Sequence, residues 1–247
     1  MFMLRKVPLE LGEYYHVYNR GIERRTIYLS HLDHSRFMLL LYLCNTTENI
    51  QLNQILNRIK RNKEKDGNKI DQNDILELYN IPKKDELVSI CSYCLMPNHF
   101  HIILKEIKEG GISSFMQKLL TSYSMYFNIK NTRSGSLFMK PFRSKHINDD
   151  NYFRYLLGYI HLNPVKLIDP KWRNDRLTDV NKIHDYLSNY KYSSLYEFSK
   201  NGNSRPESVI INKKSLPNYF KNDLEFNDFI NYWLEYSRKY KKEAFFD

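Results

Sequence analysis

From Leu87 to Lys105 the chain is strand-forming with one interruption. Leu-Val-Ser-Ile-Cys-Ser-Tyr-Cys-Leu-Met (87–96) reads as one strand, Pro97-Asn98 as a turn or bend, and His-Phe-His-Ile-Ile-Leu-Lys (99–105) as the next. Successive side chains on a strand point to opposite faces, so His99 and His101 share one face while Phe100 and Ile102 anchor the other. Two imidazoles on one face of a stiff strand can hold a divalent cation. With 8 His in 247 residues, roughly 0.25 such pairs arise by chance, so the pair alone is weak and a cross-strand-bonded or surface pair is the plain alternative.

A second stretch, Gly158-Tyr159-Ile160-His161-Leu162-Asn163-Pro164-Val165-Lys166, reads as the last turns of a helix. Phe153, Leu156, Leu157 and Ile160 form its apolar stripe, Asp149 or Asp150 caps it, and Pro164 disfavours helical geometry at Asn163. Tyr159 and Asn163 lie four apart and so nearly one above the other. The central expectation is that this phenol and this amide face the cation on His99 and His101, with His161 pointing away and assigned no role.

The remaining chain supplies a frame. Glu13–Arg20 reads as a first strand and Asn19-Arg20-Gly21 as a turn. Ser30-His31-Leu32-Asp33 reads as a capping box before a helix with Phe37, Leu40, Leu41 and Cys44 inward. Residues 48–84 are polar and lysine-rich, with weak helical patterns at 55–59 and 75–79, and read as a surface insertion. Residues 112–130 read as a helix capped by Ser113 or Ser114, with Phe115, Met116, Leu119, Leu120, Tyr123 and Phe127 as core; its Tyr123 and Tyr126 are rival nucleophiles without an accompanying ligand residue. Residues 171–247 read as a C-terminal appendage, with a loop at 202–206 and a final helix at 226–240 whose end carries Lys239–Lys242. The expected division is therefore 1–170 and 171–247, with 48–84 inserted in the first.

Charge points to the partner. Lys and Arg number 38 against 28 Asp and Glu, a net charge of +10, and aromatic residues make up 15%. Basic and aromatic residues together suit a single-stranded polyanion, whose bases stack on flat rings. Codon bias toward Lys, Asn, Ile and Tyr accounts for the same composition. Candidate DNA contacts are Arg20, Lys140, Arg143, Lys145 and Lys166; for those near 140–145 a charged edge strand that resists aggregation is the competing reading. The odd count of three cysteines gives no disulfide framework, and no apolar run spans a bilayer; with no signal-peptide core after Met1-Phe2-Met3-Leu4, the expected location is cytoplasmic and no membrane partner is expected. Cys91-x-x-Cys94 has zinc-ligand spacing, but on a regular strand those positions face opposite ways.

Two imidazoles and an amide oxygen leave a cation with open positions for phosphodiester oxygens, and a nearby tyrosine can attack the phosphorus. The resulting phosphotyrosine stores the broken bond, so a DNA end can later displace the enzyme without ATP.

On these residues the chain resembles the HUH-class single-tyrosine transposases, and most closely the branch that includes the REP-associated tyrosine transposases. Met-Pro-Asn-His-Phe-His (96–101) and Gly-Tyr-Ile-His-Leu-Asn-Pro-Val-Lys (158–166) carry the resemblance, with Tyr15–Gly21, Met116–Leu119, and Leu137-Phe138 to Arg143-Ser144-Lys145 similar in order. The resemblance covers roughly residues 13–168 and implies an α+β fold: a ferredoxin- or RRM-like antiparallel sheet with helices on one face, here with a surface insertion and a C-terminal helical appendage. It implies Tyr159 as the nucleophile of a 5′-phosphotyrosine, His99, His101 and Asn163 as ligands of Mg²⁺ or Mn²⁺, and single-stranded DNA beside a hairpin as substrate. Some members of the family are dimers and others monomers, so a homodimer is left open. Three other readings compete: a non-catalytic nucleic-acid-binding module on the same sheet, an HUH replication-initiator nickase, and a zinc-dependent structural or hydrolytic protein.

Overall fold

A computed structural model describes residues 8–49, 52–65, 67–69, 71–172, 179–199 and 205–239. The expected hairpin forms the middle of one antiparallel sheet. Its strands are β1 (Tyr14–Arg20), β2 (Val88–Met96), β3 (His99–Glu106) and β4 (Arg143–His146), in the order β2-β3-β1-β4. Helix α1 (His31–Leu43) follows β1. Helices α2 (Leu52–Lys65) and α3 (Gln72–Leu76) lie within the expected insertion, and α4 (Gly111–Lys130) connects β3 to β4. This is the β-α-β-β-α-β order of a ferredoxin-like α+β fold. After β4 come α5 (Asp150–Leu162), α6 (Val180–Asn189), α7 (Leu195–Ser199) and α8 (Asp223–Lys239). The Gly202–Ser204 part of the expected loop, the Tyr240–Lys242 end of the last helix and the Met1–Leu4 start lie outside the described residues.

Local chemistry explains where the helices begin. The Ser30 hydroxyl accepts from the Asp33 N–H, and the Asp33 carboxylate accepts from the Ser30 N–H at 3.0 Å, the expected capping box. The other Asp33 oxygen accepts from the Tyr126 hydroxyl at 2.9 Å and the Lys130 ammonium at 2.6 Å, tying α1 to α4. Neither Ser113 nor Ser114 caps α4. That helix starts earlier, at Gly111, where the buried Glu106 carboxylate accepts from the Ile112 N–H at 2.8 Å. A side chain at Gly111 would put a Cβ 2.1 Å from the Leu87 carbonyl oxygen, so the helix enters where only glycine fits.

Helices α1 and α4 cover one face of the sheet, packing Phe37, Phe115 and Tyr123 on Tyr15, Val17, Phe100, Ile102 and Leu104. The insertion joins this core through Leu78 and Tyr79. The opposite face is covered too, by α5 and the C-terminal helices around Cys94, Met96, Ile103, Leu156, Ile160, Trp172, Phe226 and Leu234. The expectation of helices on one face thus describes α1 and α4, and the chain after β4 adds a second layer. Residues 192–194 also run along the outer edge of β2: Leu95 N–H donates to the Tyr192 carbonyl at 2.9 Å and Ser194 N–H to the Tyr93 carbonyl at 3.0 Å.

The parity argument for the cysteines does not hold. The ladder between β2 and β3 shifts register between Ile90 and Ser92, and this bulge places Cys91 and Cys94 in the same core, on the α5 side. Burial raises both thiols, Cys91 to about 12, so neither tends toward the thiolate that binds zinc.

Candidate functional site

Residues directly opposite in an antiparallel ladder share a face. Arg20 stands opposite His99, Tyr18 opposite His101 and His16 opposite Ile103; on the other side of β1, Arg143 stands opposite Tyr18 and Lys145 opposite His16. The register therefore gathers His16, Tyr18, Arg20, His99, His101, Arg143 and Lys145 on one face, the face that α5 covers. Phe100 points the other way, into the core against Phe37.

Helix α5 brings the tyrosine to this face. Its N-terminus is capped by Asp149, whose carboxylate accepts from the Tyr152 N–H, and its buried stripe of Phe153, Leu156, Leu157 and Ile160 is the expected one. The Tyr159 ring meets the His101 ring edge to face, with centroids 5.4 Å apart, and His99 and His101 are 5.1 Å apart in the same manner. Asn163 is the C-cap of α5, and Pro164 follows in a short 3-10 turn (Asn163–Leu167). At 1.5 Å per residue Asn163 lies about 6 Å further along the axis than Tyr159.

The polar atoms around the pair are unusual. Asn163 is fully buried, and among the described residues neither its amide oxygen nor its amide nitrogen has a hydrogen-bond partner; His101 Nε2 is buried and unpartnered as well. Buried polar groups are almost always satisfied, so an orphaned amide and an orphaned imidazole nitrogen are exceptions among the described residues. The donor set, two imidazole nitrogens and an amide oxygen, fits a divalent cation with open positions. Among the described residues no group of three or more His, Cys, Asp or Glu side chains converges as a metal site.

Electrostatics favour neutral imidazoles. Burial pushes His99 down to about 4, with Arg20 and Lys166 adding to the effect. His101 lies well below the usual range for the same first reason, helped by His16, His99, Lys166 and Arg20. Burial, then Lys145, pushes His16 down to about 3. Arg20, Lys145 and Lys166 thus surround the histidines closely enough to be felt. Arg143 is exposed at the sheet edge beside Tyr18. Lys140 is exposed in the loop before β4, where the neighbouring Met139 N–H donates to the Arg20 carbonyl at 2.9 Å.

The rival tyrosines belong to the other face. Tyr123 donates to the Ile27 carbonyl at 2.5 Å and Tyr126 to Asp33. His161 turns away, as expected, and bonds through Nε2 to the Ser194 hydroxyl at 2.8 Å. One residue escaped the sequence reading. His16 is completely buried, its Nε2 lies 2.9 Å from His101 Nδ1, and its ring lies beside those of Tyr18 and His101, which also touch each other. The period of two along Tyr14-Tyr15-His16-Val17-Tyr18 would have placed it there once β1 was set beside β3.

An antiparallel sheet thus carries a His-x-His pair beneath a helix that bears a tyrosine. Residues 46–163 match the family model described as Transposase IS200 like, a span that holds His99, His101, Tyr159 and Asn163 and leaves β1 outside. The match covers just under half of the chain. A solved structure of the REP-associated tyrosine transposase bound to a REP hairpin aligns over 84% of this chain and 90% of that one, at 14% identity and a TM-score of 0.43. No curated protein matches the chain. Among the described residues no helix is long and apolar enough to cross a membrane.

Proposed function

We propose that this protein is a transposase that cleaves and rejoins single-stranded DNA through a 5′-phosphotyrosine on Tyr159, with Mg²⁺ or Mn²⁺ held by His99, His101 and Asn163. The observation that carries this reading is the pair of buried, unpartnered ligand atoms, His101 Nε2 and the Asn163 amide, beside the Tyr159 ring. When bound, the cation would polarise the scissile phosphorus and offset the charge developing on its oxygens.

The chain's own residues do the rest. Tyr159 Oη attacks phosphorus, the bond to the 3′ oxygen breaks, and the phenol proton ends on that oxygen, leaving a 3′-OH and a DNA 5′-phosphate on the enzyme. A second 3′-OH reverses the step and frees the tyrosine, so strand transfer consumes no ATP. Arg20, Lys140, Arg143, Lys145 and Lys166 contact the phosphate backbone and set the strand's path across the sheet, Arg143 with bidentate geometry. The substrate is single-stranded DNA next to a hairpin, and the protein acts in the cytoplasm. Residues 1–170 form the catalytic domain, with 48–84 inserted, and 171–247 an appendage to it.

The test is a covalent-adduct assay. The protein is incubated with labelled hairpin-bearing single strands from the flanks of its own gene, with Mg²⁺ or Mn²⁺, and resolved under denaturing conditions. The expected band is lost in Tyr159→Phe, in His99→Ala and with EDTA. A band that survives Tyr159→Phe moves the nucleophile elsewhere. Salt-sensitive binding to several hairpins with no band at all would make the chain a binding module.

A further inference from the structure

The tyrosine helix is held from its far side by a residue that the reaction leaves unused. His161 lies two positions from Tyr159 and two from Asn163, whose own backbone is still helical (φ −55°, ψ −39°). At about 3.6 residues per turn, two positions are about 200° of rotation. His161 therefore projects opposite both residues, midway along the turn that they span. Its imidazole is fully buried, edge to face with Phe198 and Phe226 at centroid distances of 5.4 and 5.5 Å.

Inside that apolar pocket the ring makes a directional contact: Nε2 lies 2.8 Å from the Ser194 hydroxyl. A hydroxyl both donates and accepts, so the bond forms with either tautomer of His161. Ser194 is itself tied to β2. Its hydroxyl accepts from the Tyr93 N–H at 2.9 Å, and its own N–H donates to the Tyr93 carbonyl at 3.0 Å. One residue further along β2, Cys94 stands opposite His101 in the ladder with β3. Directional bonds thus run from the back of the tyrosine helix, through Ser194 and β2, to the strand that carries His101.

Apolar packing is non-directional and leaves the rotation of α5 about its axis weakly defined, whereas a polar bond inside that packing selects one rotation. Rotation matters here because Tyr159 is a long side chain on the opposite side, and a misplacement of about 1 Å can cost about 100-fold in rate. We infer, on the reading of Tyr159 as the nucleophile, that His161 and Ser194 are positioning residues: their bond sets the rotation of α5 and so aims the Tyr159 phenol and the Asn163 amide at the face of His99 and His101. Ser194 lies outside the span matched by the family model, so the segment after 171 takes part in building the site as well as covering it.

Two measurements on the full-length protein test this. With 3-fluorotyrosine placed at position 159, ¹⁹F NMR reads the surroundings of that ring without any chemistry. On the unlabelled protein, the single-turnover rate of adduct formation at saturating hairpin DNA and Mn²⁺, per folded molecule, reads the aim of its oxygen. His161→Leu and Ser194→Ala are each expected to shift or broaden the ¹⁹F line and to slow the rate about 10–100-fold, with DNA affinity within about two-fold of wild type. The double variant should be no slower than the worse single one, because both remove the same bond. His161→Gln and Ser194→Thr, which keep a hydrogen-bonding group at each end, should return line and rate to within a few-fold of wild type. If His161→Leu does not fold, the two Ser194 variants carry the same test. A lower melting temperature with line and rate unchanged would show that the pair only satisfies a buried histidine, and overturns the inference. Rate losses that multiply in the double variant, or no recovery in either conservative variant, overturn it too. A wild type that forms no adduct while the ¹⁹F line responds as expected sinks Tyr159 as nucleophile and leaves the positioning of α5 standing.

Discussion

The two faces of the sheet are made by the same strands, and helices bury both, but they are filled on different terms. Toward α1 and α4 the strands present Tyr15, Val17, Phe100, Ile102 and Leu104, and the hydroxyls of Tyr123 and Tyr126 are hydrogen-bonded. Toward α5 the same strands present His16, Tyr18, His99 and His101, and the helix adds Asn163 with its amide unsatisfied. Each buried, unpaired polar group costs about 1–3 kcal/mol. The first face is filled by large apolar side chains, and the second carries the imidazoles and the unpartnered amide. The alternation of a strand is thus used to divide stability from chemistry one residue at a time.

The largest expected effect that tests this division is on the apolar face. Phe100 is fully buried and lies between His99 and His101 in sequence, and Phe100→Ala should cost about 3–5 kcal/mol in urea unfolding. Adduct formation per folded molecule should stay within about two-fold of wild type. A larger fall at equal folded fraction would show that the faces are coupled through the strand. Next comes the contact that seats the second layer. A Cβ at Gly158 would lie 2.7 Å from the Trp233 ring, close to its root, so Gly158→Ala should destabilise by about 1–3 kcal/mol and change tryptophan fluorescence. Trp233→Leu in the same chain should restore part of the loss; no restoration would place the strain elsewhere.

Asn163→Leu reverses the sign. Removing an orphaned buried amide should stabilise the metal-free protein by about 1–3 kcal/mol while abolishing any rise in melting temperature with Mn²⁺. Destabilisation of the metal-free protein would mean that the amide is satisfied already. The smallest effect at neutral pH belongs to Asp33. Desolvation alone would raise its carboxyl, but the bonds from Lys130, Tyr126 and the Leu29 N–H outweigh that and hold it below the usual carboxylate range. A carboxyl lower in the folded than in the unfolded state contributes stability that is complete above the unfolded value, about 3.9, and is lost as pH falls through the folded one. The stability of the wild type should therefore drop in acid below about pH 4, and Asp33→Asn should flatten that slope. An unaltered slope would assign the acid sensitivity to other carboxylates.

What the sequence disclosed was local. Alternation placed His99 and His101 together, the Ser30–Asp33 spacing gave the α1 cap, and Pro164 ended the tyrosine helix where Asn163 caps it. What it concealed depends on partners distant in the chain. The bulge at Cys91 reverses the parity of everything before it in β2, and no residue there announces it. The start of α4 is governed by a carboxylate from β3 in place of the serines that propensity favours. His16 acquires its place only when β1 is laid beside β3, 85 positions away in sequence. The second layer on the sheet follows the same logic, because α6–α8 carry ordinary amphipathic patterns that do not say which surface they cover.

Residues 192–194 along the outer edge of β2 have a consequence for how the protein is made. The span that holds the histidines and the tyrosine helix ends at 163, so during synthesis this sheet emerges before the segment that closes its edge. Until then the N–H of Leu95 and the carbonyl of Tyr93 are unpaired on an apolar strand, the kind of edge that recruits strands from other chains. Chains lengthen at about 5–20 residues per second, so the interval is one of seconds. A nascent copy is thus adhesive until residues 192–194 arrive, and that short segment works as its built-in chaperone.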